Sequence, residues 1–160
     1  MTDMRALYQE VILDHNRNPR NFGKLEGATC LAVGDNPLCG DSYTIYAVVG
    51  DDDTIEKVGF DGTGCAISKA AASMMSVRIK GKTIEEAEVM IEQFRHMLTG
   101  ELDPKSDNEL GHLTVFHGVS QLPQRVKCAV LPFHALHAAL EGEDEISTEG
   151  EQDVWNEDTP

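Results

Sequence analysis

The chain has 160 residues, 41% of them hydrophobic, and a net charge of −15, so it is long enough for one domain with a buried core. So acidic a chain is poorly suited to nucleic acid, because a phosphate backbone requires a basic surface. No apolar run reaches the roughly 18 residues that a membrane span needs, and no secretory leader opens the sequence. We therefore expect a cytoplasmic protein that binds neither nucleic acid nor a membrane.

The first part of the sequence predicts one helix and three strands. Residues 4–15 carry apolar side chains on one helical stripe, which is typical of an amphipathic helix. The proline and glycine of "NRNPRNFG" end that helix, because proline restricts the residue before it. Runs rich in β-branched and aromatic residues predict strands near 29–34, at 42–49 and at 54–61. The sequence "GDDD" at 50–53 predicts a hairpin turn between the last two strands.

The remainder of the chain predicts mainly helices. Thr83 and Glu86 have the spacing of a capping box, and Pro132 predicts a kink or an interruption in the last helix. Strands followed by helices indicate an α+β domain, with an N-terminal helix and a helical C-terminal half. In this fold class helices cover a small antiparallel three-stranded sheet. The helical patterns occupy 65–80, 83–98 and 123–140, with a short helix near 107–113 in the mixed segment 99–119.

The last residues differ in composition from the rest. Residues 141–160 contain nine of the 28 acidic residues and no Lys or Arg. We therefore predict one domain over residues 1–141 and an acidic, disordered tail over residues 142–160. Trp155 in this tail is either a docking point or a simply exposed side chain.

Cys39 and Asp41 stand two positions apart in the turn sequence "NPLCGD". In an extended chain, residues i and i+2 point to the same side, so both side chains could face one metal ion. Gly40 between them allows a tight approach of the backbone. Four cysteines without a secretory leader indicate free thiols or metal ligands rather than disulfides.

Cys65 and Cys128 have surroundings that favour a thiolate. Cys65 follows "DGTG" at the start of a predicted helix, where unpaired N–H groups and the helix dipole stabilise negative charge. Cys128 has two basic neighbours, Arg125 and Lys127, and cations lower the pKa of a thiol. The three thiols could share a metal site or be unrelated. Cys30 lies in an apolar strand, and we expect it to serve in packing.

Six histidines are competing candidate ligands. His134 and His137 have i, i+3 spacing on a predicted helix and could share a face. The others have no partner spacing, and we expect packing or solvent contact for the histidines as a group. Three of them scatter over the helical region: His96, His112 and His117.

Three sequence blocks in register resemble a known family. These blocks, "GDNPLCGD" (34–41), "GTGCAISKAAASMM" (62–75) and "RVKCAVLPFHAL" (125–136), resemble the SufU branch of the IscU/NifU N-terminal-like iron–sulfur assembly proteins. The resemblance covers about residues 4–141 and implies the SufE/NifU-like α+β fold. IscU-type scaffolds carry a histidine immediately before the last cysteine, where this chain has Lys127. That difference and a longer segment between the second and third cysteines favour the SufU branch.

The resemblance implies a zinc site and a sulfur-transfer partner. The matching zinc ligands are Cys39, Asp41, Cys65 and Cys128. Sulfur is expected to come from a SufS-type cysteine desulfurase, which carries its own PLP. A histidine of that enzyme would replace Cys39 at the zinc, and the freed Cys39 would accept the persulfide sulfur. Arg125 would support this step by pairing with Asp41 or with a carboxylate of the partner.

Three functional hypotheses follow from the resemblance and the thiols. The first is a zinc-dependent sulfurtransferase that accepts sulfur from the desulfurase and stimulates it. The second is a scaffold on which an iron–sulfur cluster is assembled, with iron or a cluster at the same site. Either would supply downstream SUF assembly proteins or apo iron–sulfur proteins. The third is a structural zinc domain used only for docking.

Overall fold

The computed structural model describes residues 4–37, 40–142 and 145–147. Its elements follow the predicted order of one helix, three strands and then helices, so the α+β fold class is confirmed. None of the helices in these ranges is long and apolar enough to cross a membrane. The elements are α1 (Met4–Arg17), β1 (Cys30–Asn36), β2 (Asp41–Val49), β3 (Ile55–Thr63), α2 (Ala66–Ile79), α3 (Ile84–Leu98), a 3-10 helix (Gly111–Val119), α4 (Pro123–Leu140) and β4 (Glu145–Ser147).

Strand β2 is the centre of the antiparallel part of the sheet. It pairs with β1 on one side and β3 on the other, and the register places Asn36 opposite Asp41. Alternate side chains of β2, including Tyr43 and Ile45, are buried, because successive strand residues point to opposite faces. The predicted hairpin turn is present, closed by a hydrogen bond of 3.0 Å from the Asp53 N–H to the Gly50 carbonyl.

A short fourth strand extends the sheet beyond the three predicted strands. Strand β4 pairs in parallel with β1 over Val33 to Asp35, and the strand order is β3-β2-β1-β4. Three residues of the segment predicted to be a disordered tail therefore join the sheet. Residues 148–160, including Trp155, lie outside the described residues, so the boundary of the domain stays a prediction.

The helices pack on the sheet and enclose an aromatic core. Helix α4 covers β1 and β2, and α2 packs on β3. A Cβ at Gly34 of β1 would lie 3.0 Å from the Cβ of Ala135, so a glycine there allows α4 to approach the strand closely. Phe94 and Phe133 stack with ring centroids 3.9 Å apart, which fixes α3 against α4. This packing holds α4 beside β1 and β2, the two strands that pair Asn36 with Asp41.

Helix α4 continues through its proline. Pro132 lies inside the single helix Pro123–Leu140, so the predicted interruption is absent. Proline has no N–H to donate to the carbonyl of Cys128, four residues earlier, and such a position costs about 3 kcal/mol in an isolated helix. Pro132 and its neighbours from Cys128 to Ala135 are all buried. Tertiary packing therefore offsets the local cost.

The segment between α3 and α4 differs from its prediction. The short helix expected near 107–113 is a 3-10 helix at Gly111–Val119. Before it, the Arg78 guanidinium donates hydrogen bonds of 3.0 and 2.8 Å to the carbonyl of Glu109, and the Glu109 N–H donates to the Gln93 side chain at 2.7 Å. The start of the 3-10 helix thus depends on contacts with α2 and α3. The capping box of α3 is confirmed, with Thr83 and Glu86 bonding each other's N–H groups.

Candidate metal centre

Three side chains that the sequence proposed as ligands meet at one point. Asp41, Cys65 and Cys128 each offer a ligand atom, and these atoms lie within 4.8 Å of one another. Asp41 begins β2, Cys65 precedes α2, and Cys128 lies in the second turn of α4. Asp41 and Cys128 are buried and Cys65 is partly buried. The fourth proposed ligand, Cys39, lies outside the described residues.

Asp41 is fixed in the cluster by the backbone of Cys65. Its Oδ1 accepts a hydrogen bond of 3.0 Å from the Cys65 N–H, and its Oδ2 lies 3.8 Å from the Cys65 sulfur. Its opposite residue on β1, Asn36, is fully buried, and neither atom of the Asn36 amide has a hydrogen-bond partner within the ranges described. Cross-strand neighbours share a face. The cluster therefore borders a buried amide that makes no hydrogen bond to the described residues.

Cys65 forms the N-cap of α2, as its position after "DGTG" predicted. Its sulfur accepts a hydrogen bond of 3.5 Å from the Ser68 N–H. A hydrogen bond with Cys128 is the main cause that lowers the pKa of the Cys65 thiol to about 5, and the Ser68 N–H and hydroxyl lower it further. These effects outweigh burial and the charge of Asp41, which raise the pKa. Cys65 is therefore a thiolate at neutral pH, the form that binds metals.

Tyr43 and Ser68 form a polar layer behind the cluster that the sequence did not reveal. Their hydroxyl oxygens are 3.1 Å apart, and burial raises the pKa of Tyr43 to about 12, so it remains a phenol. A Cβ at Gly64 would lie 2.6 Å from both hydroxyl oxygens and 2.8 Å from Asp41 Oδ1. Only a glycine leaves room for these groups. A serine three residues after an N-cap is the one local signal of this layer.

The donor set fits zinc. Zinc binds thiolate sulfur and carboxylate oxygen in tetrahedral sites, whereas magnesium and calcium take oxygen ligands alone. The Cys65 thiolate lies beside a buried carboxyl group, and a cation compensates negative charge in such a place. Asp41, Cys65 and Cys128 supply three of the four ligands that a closed zinc site requires.

Two other candidate residues, Arg125 and Cys30, are not part of this cluster. Arg125 has an exposed side chain, and it forms no ion pair with Asp41 in the part of the chain that the structure describes. Cys30 is partly buried and packs against the core, and burial raises the pKa of its thiol, which agrees with a packing role.

The two histidines of α4 have different surroundings. His134 is 3% exposed, and burial lowers its pKa to about 3. His137 is partly exposed, and its Nδ1 lies 2.6 Å from Glu88 Oε2. Neither belongs to the cluster of Asp41, Cys65 and Cys128.

An α+β domain that brings two cysteines and an aspartate together from separate elements contains a candidate thiol-based metal site. The chain belongs to the family of NifU-like N-terminal domains, whose model matches residues 7–129. The resemblance seen in the sequence blocks is thereby confirmed.

Curated relatives in this family include proteins of two kinds. The chain is 41% identical to the zinc-dependent sulfurtransferase SufU of Bacillus subtilis over 143 residues, which is 89% of this chain and 95% of that protein. It is 37% identical to the iron–sulfur cluster assembly scaffold protein IscU of Streptococcus pyogenes over 140 residues, covering 88% and 86% of the two chains.

A solved structure has the same fold. The crystal structure of a SUF-system protein from Fervidobacterium islandicum, named as an iron–sulfur cluster assembly scaffold, matches with a TM-score of 0.78 and 38% identity. The match covers 85% of this chain and 98% of that one.

Proposed function

We propose that this chain is a zinc-dependent sulfur acceptor of iron–sulfur cluster assembly, which takes persulfide sulfur from a SufS-type cysteine desulfurase and stimulates that enzyme. The observation that carries the proposal is the cluster of Asp41, Cys65 and Cys128, whose ligand atoms lie within 4.8 Å of one another. The relative named as a zinc-dependent sulfurtransferase supports the same function.

Asp41, Cys65 and Cys128 would hold the zinc, and Cys39 would complete the set. When bound, zinc supplies a redox-inert positive charge that keeps the thiolates together and protects them from oxidation. Asp41 is held by the Cys65 N–H, and Cys65 by the Ser68 N–H. These two hydrogen bonds orient Asp41 and Cys65 through the protein backbone, without any contact to a metal.

We assign the role of sulfur acceptor to Cys39, because the other two cysteines of the proposed ligand set are poorly accessible. Cys128 is buried and Cys65 partly buried, so an incoming persulfide has poor access to them. Gly40, next to Cys39 in the sequence, is exposed, and among the described residues no atom other than those of its chain neighbours lies within 4 Å of the position of a Cβ there. Access and the thiolate fraction control thiol exchange. The exposure of Gly40, the next residue in the sequence, supports the assignment to Cys39.

The transfer is a thiol exchange that needs no oxidant. The Cys39 thiolate attacks the outer sulfur of the desulfurase persulfide, and a new S–S bond forms on Cys39. The original S–S bond breaks, and the desulfurase cysteine leaves as a thiolate. Arg125, exposed in the first turn of α4, would meet a carboxylate of the desulfurase.

The second candidate is a scaffold that assembles an iron–sulfur cluster and passes it to apo-proteins. The relative named as a scaffold favours it, and the two thiols and the carboxyl group can also bind iron. Lys127 stands where IscU-type scaffolds carry a histidine, so a ligand of that type is missing. In both cases the product would reach downstream SUF proteins or apo iron–sulfur proteins in the cytoplasm, where thiols stay reduced.

A desulfurase assay with the cognate enzyme tests the proposal. Sulfide release from cysteine is measured with the zinc-loaded, the metal-free and the iron-loaded protein. We expect stimulation by the zinc form alone, its loss in Cys39→Ala, and its retention in the control Cys30→Ala. Full stimulation by Cys39→Ala would refute the role of Cys39. Cluster transfer from the iron-loaded form without any stimulation by the zinc form would favour the scaffold.

A further inference from the structure

A second group of potential metal ligands lies between α3 and α4. Glu88 of α3, His137 of α4 and Glu141 at the end of α4 offer ligand atoms within 4.8 Å of one another. His137 follows Cys128 by nine positions on the same helix, which corresponds to roughly 14 Å along its axis. This group is therefore separate from the thiol cluster.

The backbone presets the geometry of this group. His137 and Glu141 have i, i+4 spacing and lie on one face of α4. Glu88 faces them from α3, with its Oε2 2.6 Å from His137 Nδ1. Glu88 and His137 are partly buried and Glu141 is exposed. The group thus has a fixed inner part and an opening to solvent.

The ion pair of Glu88 and His137 uses only one of the two carboxylate oxygens of Glu88. The second oxygen of Glu88, Oε1, is buried and has no hydrogen-bond partner among residues 4–37, 40–142 and 145–147. Burying a carboxylate oxygen without a partner is unfavourable, because the oxygen loses its hydrogen bonds to water. This oxygen is an observation independent of the clustering itself, and it supplies an acceptor that the contact with His137 does not use.

The charges around the group are also unbalanced. Neither Glu88 nor Glu141 forms an ion pair with Lys or Arg in the described part of the chain. The nearby Arg95 is engaged by Glu92 at 2.9 Å. Two carboxylates therefore surround one imidazole, and a divalent cation would compensate the excess negative charge.

We propose that Glu88, His137 and Glu141 form a second, weaker binding site for a borderline divalent metal ion such as Zn²⁺. One imidazole and two carboxylates are ligands that zinc accepts, and three protein ligands leave a position open to water. The ion would take the place of the proton between His137 and Glu88 and would join α3 to α4. The site uses no thiol and does not depend on the proposed sulfur transfer.

Metal titration of the full chain tests this site. The protein is first loaded with one equivalent of Zn²⁺ and is then titrated with Zn²⁺ in a calorimeter. We expect a second equivalent to bind, and we expect His137→Gln and Glu141→Gln to weaken it at least about tenfold, because even the loss of an outer-shell partner weakens metal binding about 10–100-fold. Glu141 is exposed, so its replacement leaves the fold intact. His112→Gln, at an exposed histidine, is the matched control and should retain the second equivalent.

Cobalt separates the two sites spectroscopically. In protein loaded with Co²⁺, the first equivalent should produce a strong thiolate-to-metal band in the near ultraviolet, and the second should add none. The proposal is overturned if the wild type binds only one equivalent, or if both Gln variants bind the second equivalent as tightly as the wild type. A second equivalent that also adds a thiolate band would equally refute it.

Discussion

Replacing Gly64 by alanine tests the packing behind the thiol cluster. The new Cβ would lie 2.6 Å from the hydroxyl oxygens of Tyr43 and Ser68 and 2.8 Å from Asp41 Oδ1, whereas ordinary contact begins at 3.4 Å. The three oxygens must therefore retreat by roughly 0.6–0.8 Å. All three side chains are buried, so they have no solvent to move into.

The expected cost has two parts. Overpacking a buried site costs about 1–3 kcal/mol, which lowers the melting temperature by about 2–4 °C for each kcal/mol in a domain of this size. Metal sites accept ligand shifts of only about 0.2 Å, and the displaced oxygen of Asp41 exceeds this. We therefore expect zinc affinity to fall at least about tenfold, as it does when ligand orientation is lost.

Zinc affinity is measured by competition with a chelator, and stability by thermal unfolding of the metal-free protein. Gly50→Ala is the matched control, because the atoms nearest to its Cβ would belong to the side-chain tips of Glu56 and Asp52, which are both exposed and can move away. We expect it to bind zinc like the wild type. If Gly64→Ala also binds zinc and unfolds like the wild type, the layer of Tyr43 and Ser68 does not hold Asp41 in place.

Two further predictions concern protonation. The pKa of His134 is about 3 in the folded protein and about 6.5 when unfolded, so the unfolded chain binds an extra proton and stability falls as the pH drops from 6.5 towards 3. The loss is at most about 1.4 kcal/mol per pH unit. In urea unfolding of the metal-free protein, stability should fall less steeply with decreasing pH for His134→Gln than for the wild type, whereas His112→Gln should behave like the wild type. Equal pH slopes for all three proteins would contradict the burial argument. Cys128→Ala removes the main cause of the low pKa of Cys65, so the pKa of Cys65 should rise. Thiolate absorbance of the metal-free protein measures this pKa as the pH is varied. An unchanged titration would show that Ser68 and the helix are enough to keep the pKa low.

Features that depend on near neighbours in the chain were predictable from the sequence. The strand patterns, the capping box of Thr83 and Glu86 and the N-cap position of Cys65 each involve a few consecutive residues, and the structure contains them all. The contexts of Asp41 and Cys128 also identified them as candidate ligands, and the structure brings both to one cluster with Cys65. Spacing alone left open whether the three thiols share a metal site. The proposed ligand set came from the family resemblance of the sequence blocks.

Features that depend on distant contacts were not predictable. Strand β4 has only three residues in an acidic segment, and it forms because the edge of β1 offers backbone partners. The 3-10 helix is displaced because Arg78 bonds Glu109, 31 positions away. The pair of Glu88 and His137 joins residues 49 positions apart, and no local pattern announces it.

The spacing of the cluster along the chain links metal binding to folding of the whole domain. Asp41 and Cys65 are 24 positions apart, and Cys128 follows 63 positions later. Closing loops of these lengths costs roughly 3 and 4 kcal/mol of chain entropy. The folded domain already holds the three residues together, so a binding metal does not have to offset this entropy. A metal held by all three residues would act as a cross-link between the first hairpin and the last helix. Global unfolding would then have to release the ion, so a bound metal would raise the stability of the entire domain through mass action.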